Sequence, residues 1–250
     1  MVVGLFPNFQ AEGGGKHHHE PAKVRQRLED HSLSYKYRCD VIRLKFCSQS
    51  VIGFVPSKRG KKAMSFPIVG IGASAGGLES FSELIAGIPA HTGMAYVFVQ
   101  HLNPRCDSFL VSILSQMATV PVEGVWKDVK VFPDHLYVIV PNTTLTIDGG
   151  VLHLSSRDPA DRPHRPVDTL LHSLAEQRGP NGIGVVLSGC GSDGAKGIQA
   201  IKQAGGITFA QDESSALFFG MPSCAIKTGC VDFILAPKEI AQELIRISRH

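Results

Sequence analysis

Three residues of the kinds that catalyse acyl transfer, Ser74, His101 and Asp193, each follow a short apolar segment of the chain. In such a site the serine attacks a carbonyl carbon, the histidine takes the serine proton, and the carboxylate orients the imidazole and stabilises its cation. Glycine-rich turns at residues 70–77 and 188–194 surround the serine and the aspartate. Such turns, when they lead into helices, direct backbone N–H groups toward one point, where a phosphate or an oxyanion is stabilised.

The elements that must position these residues begin at Phe66, where short β-branched runs start to alternate with helical patterns. This alternation is typical of βαβ units and a parallel sheet. Strands are predicted at 68–71, 94–100 and 183–187, and the three residues follow these strands in chain order, Ser74 and Asp193 within the glycine-rich turns. Ligands bind at the carboxyl ends of the strands in such a sheet, so neighbouring strands would bring the three side chains to one edge.

The middle of the chain has a different pattern. Apolar runs at 144–147 and 151–154 flank the turn residues 148–150, Asp-Gly-Gly, which predicts an antiparallel hairpin. We take this hairpin as an addition to the sheet. The predicted fold is therefore α/β, doubly wound and Rossmann-like, with a mostly parallel sheet. One of its helices is predicted from an N-cap at Asp107 to Met117.

The first glycine-rich turn also fits a loose dinucleotide-binding fingerprint, in which glycines at 70 and 72 precede Ala75. That motif requires an acidic residue about 20 residues further on, at the end of the second strand, to bind the ribose. Gln100 and His101 stand there instead. The missing carboxylate disfavours nucleotide binding.

Residues 72–76, Gly-Ala-Ser-Ala-Gly, also match the nucleophile elbow of the α/β-hydrolases, whose residues follow the chain order Ser, Asp or Glu, His. Here His101 comes before Asp193 in the chain. The sequence therefore favours the chemistry of the α/β-hydrolases on a different fold. Cys190 is an alternative nucleophile close to this site, although its place in a glycine-rich turn favours a role as a small turn residue.

Charge is distributed unevenly along the 250 residues, whose net charge is +3. Residues 1–66 hold 12 Lys and Arg against 5 Asp and Glu, whereas residues 67–250 hold 13 against 17. We interpret 1–66 as a basic, poorly ordered leader that is solvated rather than bound to nucleic acid, and 67–250 as the catalytic domain.

No apolar run reaches the roughly 18 residues that span a bilayer, so membrane insertion is not expected. The six cysteines form no CxxC pair and no zinc-like set, which predicts reduced thiols in a cytoplasmic protein. The sequence predicts no metal and no cofactor.

Residues 67–236 resemble the catalytic domain of CheB-type protein-glutamate methylesterases. The matching stretches are VGIGASAGGL (69–78), VQHLNP (99–104), RPVDTLLHSLA (165–175), GVVLSGCGSDG (184–194) and GMP (220–222). The amino-acid sequences of these stretches most resemble the branch in which this domain is fused to a CheR-type methyltransferase and sensor modules.

The resemblance implies that Ser74 is the nucleophile, His101 the base and Asp193 the orienting carboxylate, with the backbone N–H of Cys190 at the oxyanion site. It implies hydrolysis of glutamate γ-methyl esters on chemoreceptor-type proteins to glutamate and methanol, and in many members deamidation of glutamine. The partners it implies are a methylated receptor and a CheR-type methyltransferase or sensor kinase. A catalytically idle docking or sensory module of a signalling kinase system is the alternative.

Two departures from the family's pattern bear on regulation and activity. Residues 1–66 lack the alternating strands and acidic pocket of a receiver domain, so control by phosphorylation of such a domain is not expected. Ala75 stands where a Thr or Ser is usual after the nucleophile. We interpret the chain as a free-standing esterase domain or a piece of a split sensor.

Overall fold

The computed structural model of the chain describes residues 66–101, 109–157 and 163–249. The strands within these ranges are β1 (Ile68–Ala73), β2 (Ala95–Gln100), β3 (Val122–Val125), β4 (Val129–Lys130), β5 (Leu136–Ile139), β6 (Thr143–Asp148), β7 (Val151–Ser156), β8 (Gly182–Val186), β9 (Ile207–Gln211) and β10 (Phe233–Leu235). The helices are α1 (Gly77–Ala86), α2 (Leu110–Ser115), α3 (Pro166–Arg178), α4 (Ala195–Gln203), α5 (Gly220–Ile226) and α6 (Pro237–Ile247). The predicted leader, apart from Phe66, and the predicted N-cap Asp107 lie outside the described residues.

The main sheet is parallel at every pairing between described strands, in the order β10-β9-β8-β1-β2-β5-β3. The chain builds outward from β1, first to β2 on one side and later to β8 on the other. The strand order therefore reverses at β1, which makes its carboxyl end the switch point where such sheets bind ligands. The predicted α/β fold with a mostly parallel sheet is confirmed.

The predicted hairpin is present, and it belongs to a separate sheet. β6 pairs antiparallel with β7 from Thr143↔Ser156 to Asp148↔Val151, and β7 also pairs with β4. The described part of the chain thus holds a second, three-stranded sheet in the order β4-β7-β6. A left-handed turn at Asn142, with φ of 60°, redirects the chain between β5 in the main sheet and β6. Asn is one of the residues that tolerate this conformation.

Alternating side chains of the buried strands supply two hydrophobic cores, one on each face of the main sheet. Val69, Ile71 and Ala73 of β1 face the core that also contains α1 and α6. There Phe81 stacks on Phe98 of β2, with ring centroids 3.8 Å apart. Burial raises the pKa of Tyr96 in this core to about 12, and its hydroxyl pairs with Thr92 at 2.8 Å.

The second core lies between the main sheet and helices α3 and α4. On this face β1 carries glycines where the opposite face carries Val69 and Ile71. A Cβ added at Gly70 would lie 2.8 Å from Leu171 Cδ2, and one at Gly72 would lie 2.1 Å from Val167 Cγ1. The glycines therefore let α3 approach β1 directly beside the carboxyl edge of the sheet.

Gly72→Ala is expected to destabilise the fold by about 1–3 kcal/mol, the usual cost of overpacking a rigid core. The added methyl group meets the β-branched Val167, whose side chain has little freedom to move. Urea denaturation followed by circular dichroism measures the loss. The double variant Gly72→Ala/Val167→Ala should recover part of it, and independent, additive losses would contradict the close approach of α3.

Candidate active site

Ser74 stands at the switch point, immediately after β1. Its backbone N–H donates to Ser188 O after β8 (3.0 Å), and its carbonyl oxygen accepts from Gln100 Nε2 at the end of β2 (3.3 Å). Groups that follow the two neighbouring strands thus hold the serine backbone from both sides. The side chain is half-buried at the start of the turn into α1.

His101 follows β2 at the register position beside Ser74, since Ala73 pairs with Gln100 and the His101 N–H donates to Ala73 O (3.2 Å). Its ring reaches the buried Asp193, with Nε2 2.7 Å from Asp193 Oδ2. A carboxylate only accepts, so Nε2 carries the proton and Nδ1 is left as the basic nitrogen. The His101 side chain is 30% exposed, which leaves it accessible to a substrate.

The structure brings the predicted histidine and aspartate into direct contact and places the predicted serine next to them. No hydrogen bond joins Ser74 Oγ to His101 among the described residues. In unliganded active sites this contact is commonly long and shortens only when substrate is bound.

Asp193 is fixed by the first turn of α3. Its Oδ2 accepts from the N–H of Val167 (3.0 Å) as well as from His101, and its Oδ1 accepts from the N–H of Asp168 (2.8 Å). These backbone N–H groups have no partner within the helix, and the helix N-terminus favours negative charge. The carboxylate therefore satisfies the end of α3 and is oriented by it toward His101.

Asp168 performs the reciprocal task for α4. Its Oδ1 accepts from the N–H groups of Gly194 (2.9 Å) and Gly197 (2.8 Å), and its Oδ2 accepts from Arg165 (3.2 Å). The side chain is 5% exposed. Asp168 thus holds the residue that directly follows Asp193, and it is a positioning residue that the search for strand-end side chains missed. Its presence in the stretch 165–175 was a signal, but only the folded chain shows its partners.

The turn that contains Cys190 packs against Ser74. A Cβ added at Gly189 would lie 2.9 Å from Ser74 Cβ and 2.3 Å from Met221 Sδ, so only glycine permits this approach. The Gly-Met-Pro stretch at 220–222 closes over the turn, because the Met221 N–H donates to Gly189 O (2.8 Å). No described residue accepts the Cys190 N–H, which leaves it available beside Ser74.

Ser188 ties this turn to its surroundings. Its backbone N–H donates to Gln211 Oε1 (2.8 Å), and its hydroxyl donates to Ala75 O (2.8 Å) in the turn that contains Ser74. The loop after β9 is ordered in the same network, where a hydrogen bond from the Ser215 hydroxyl holds the pKa of Asp212 below its usual range. These hydrogen bonds connect the loops that follow β1, β8 and β9 at the site.

Two negative findings apply to residues 66–101, 109–157 and 163–249. No helix there has the length and apolar character needed to cross a membrane. No three His, Cys, Asp or Glu side chains in those ranges come together as a metal site would require.

A parallel α/β sheet whose switch point carries a serine, next to a histidine held by a buried carboxylate, is the arrangement used by serine-dependent hydrolases. Comparison with known proteins makes the class more specific. Residues 69–244 match the family model described as CheB methylesterase. The chain belongs to the CheB methylesterase family.

Individual relatives agree with this assignment. The protein-glutamate methylesterase/protein-glutamine glutaminase of Bordetella parapertussis is 37% identical over 193 residues, which cover 75% of this chain and 55% of that protein. Its Escherichia coli K12 counterpart is 33% identical over 192 residues, with the same coverage. This chain thus spans about half the length of these curated relatives.

A solved structure is also similar to this one. The crystal structure of the Thermotoga maritima CheB methylesterase catalytic domain superposes with a TM-score of 0.68 at 30% identity. The alignment covers 74% of this chain and the whole of that domain.

Asp168→Ala is expected to cost about 2 kcal/mol or more of stability, because it leaves two buried N–H groups without an acceptor. Asp168→Asn should lose less, since its amide oxygen can still accept from Gly194 and Gly197. Urea denaturation of both variants measures the difference. Equal losses for Asn and Ala would show that these hydrogen bonds do not carry the effect.

Proposed function

We propose that this chain is a serine esterase that hydrolyses γ-methyl esters of glutamate side chains in proteins and releases methanol. The observation that carries the proposal is the hydrogen bond between His101 and Asp193 at the sheet edge where Ser74 begins its turn. Membership of the CheB methylesterase family supports the choice of ester, and the names of the relatives in Bordetella parapertussis and Escherichia coli include the same activity.

Acylation begins when Ser74 Oγ attacks the ester carbonyl carbon while its proton passes to His101 Nδ1. Asp193 holds the ring in the tautomer that leaves Nδ1 free and stabilises the imidazolium that forms. The oxyanion of the tetrahedral intermediate accepts a hydrogen bond from the Cys190 N–H. The intermediate then collapses, the C–O bond to the methoxy group breaks, and His101 donates its proton to that oxygen to give methanol.

Deacylation repeats these steps with water as the nucleophile. His101 takes a proton from water, the hydroxide attacks the acyl-serine, and the returning proton restores Ser74 as the glutamate carboxylate is released. A glutamine side chain would follow the same path, with ammonia in place of methanol as the leaving group. The glutaminase in the relatives' names supports this second reaction for the same site.

The proposed substrate is a methylated chemoreceptor or receptor-like signalling protein. A methyltransferase of the CheR type would supply the ester, and both enzymes would act in the cytoplasm in chemotaxis or related signal transduction. The proposed catalytic domain is residues 67–250, and its support is the family match at 69–244. The proposed role of residues 1–66 remains that of a basic leader.

Ser74→Ala is expected to lower methanol release from a methylated receptor by on the order of 10⁴-fold or more, since the acyl acceptor is removed. The matched control is Ser115→Ala, which removes an exposed hydroxyl bonded only within α2. Release is measured by gas chromatography, with circular dichroism to confirm the fold. Wild-type rates in Ser74→Ala would exclude the assignment, and a folded wild-type chain that released no methanol would favour the docking module.

Asp193→Asn is expected to lower kcat by on the order of 10⁴-fold, because an amide no longer selects the tautomer that His101 needs. Cys190→Ala should lower it far less than Ser74→Ala does, since only the backbone of residue 190 is used. Steady-state kinetics on the same methylated receptor checks both variants. A greater loss for Cys190→Ala than for Ser74→Ala would instead identify the thiol as the nucleophile.

A further inference from the structure

A cavity of about 360 Å³ opens beside His101, between the ends of β2, β5 and β7 and the residues that precede α3. His101 and Pro166 both line it, so it shares the sheet edge with the His101–Asp193 pair. Its volume lies at the lower end of the range for ligand sites, and it suits one or two side chains better than a large cofactor.

The described lining of the cavity contains one side chain with a permanent positive charge, Arg157, and no Asp or Glu. Arg157 is half-buried, and its guanidinium makes no ion pair with any described carboxylate. The neighbouring Arg165 contrasts with it, because Asp168 neutralises Arg165 at 3.2 Å. A partly desolvated guanidinium that has no counter-ion among the described residues is suited to bind a carboxylate in the bidentate geometry that Arg favours.

The walls that carry Arg157 are fixed by hydrogen bonds. The backbone N–H of Arg157 donates to the backbone oxygen of Asn142 (2.9 Å), in the left-handed turn that follows β5. His164 Nε2 lies 3.1 Å from Thr144 Oγ1, which attaches the segment before α3 to β6. Across the cavity, Gln100 lines the wall and donates to the carbonyl oxygen of Ser74 (3.3 Å). One residue therefore connects the cavity to the nucleophile.

We propose that this cavity, with Arg157 as its cation, binds an acidic side chain of the protein substrate while a neighbouring glutamyl ester is presented to Ser74. The proposal rests on the proposed function and adds a preference to it. Esters in acidic sequence surroundings would be hydrolysed in preference to esters in neutral surroundings. Added salt would weaken this preference, because the guanidinium is only partly buried.

The test uses two synthetic peptides that carry the same γ-methyl glutamyl ester, one flanked by Glu and one by Gln. The full-length chain should hydrolyse the acidic peptide with a kcat/KM about tenfold higher, the scale of one hydrogen bond to a charged group. Arg157→Gln should bring the ratio of the two kcat/KM values close to one. The matched control Arg249→Gln, on an exposed arginine after α6 on the opposite face of the sheet, should keep the wild-type ratio.

The ratio separates binding from a structural role, since a distorted site would slow both peptides together and leave the ratio intact. A wild-type ratio of one, or an Arg157→Gln ratio equal to that of wild type, would overturn the subsite. If wild type releases methanol from neither peptide and not from a methylated receptor, the proposed function fails and the subsite is judged by binding alone. Fluorescence anisotropy of the labelled peptides with Ser74→Ala then decides, since an acidic preference that Arg157→Gln removes supports the cavity and equal binding overturns it.

Discussion

The rest of the site depends on reciprocal capping, in which a carboxylate next to each of two helices accepts hydrogen bonds from the N-terminus of the other. Asp193, just before α4, accepts the free N–H groups of α3, while Asp168, in the first turn of α3, accepts the free N–H groups of α4. Both carboxylates are nearly fully buried. Each helix end needs an acceptor and each buried carboxylate needs donors, so one arrangement satisfies both requirements. The orientation of Asp193 toward His101 is a consequence of this reciprocal capping.

The reciprocal capping in turn requires α3 to lie very close to the sheet. Gly72 of β1 and Gly197 of α4 provide that space, since a Cβ at Gly197 would lie 2.5 Å from Leu171 Cβ on α3. The cost of these glycines is the backbone entropy that they lose on folding and the side-chain burial that they do not provide. The fold recovers stability from the two cores on either side of the sheet. Packing of the core and the geometry of the site are thus linked through the position of a single helix.

The charges around the site divide its tasks. Asp193 and Asp168 accept hydrogen bonds from backbone N–H groups. Asp193 also contacts His101, and Asp168 also contacts Arg165. Neither carboxylate lines the cavity beside the site. The described wall of that cavity is neutral or basic and contains Arg157. Negative charge is thereby placed behind the histidine, whereas the described wall of the cavity beside it carries a cation. In the proposed mechanism the first would stabilise the imidazolium and the second would accept an anion.

Much of the fold, and the placement of three polar side chains at one edge of the sheet, could be predicted from the sequence, because both depend on local patterns. Apolar runs and glycine turns place Ser74, His101 and Asp193 after strands, and parallel strands of any doubly wound sheet end at the same edge. The separate sheet of β4, β6 and β7 could not be predicted, since the two residues of β4 give no periodic signal. The hydrogen bond between Ser188 and Gln211 could not be predicted either, because the two residues lie 23 residues apart in the chain.

The sequence by itself therefore determined the class of fold, the kinds of side chain at the switch point and the order in which they follow their strands. Only the tertiary structure decided which atoms meet. It shows Nε2 of His101 on Asp193, Asp168 on the start of α4, and Arg157 in a cavity beside the histidine. The physical reason is that periodicity reports which residues are buried, whereas a hydrogen bond or a cavity depends on the approach of segments that are distant in the chain. In this protein that approach is set by the contact of α3 with the glycines of β1.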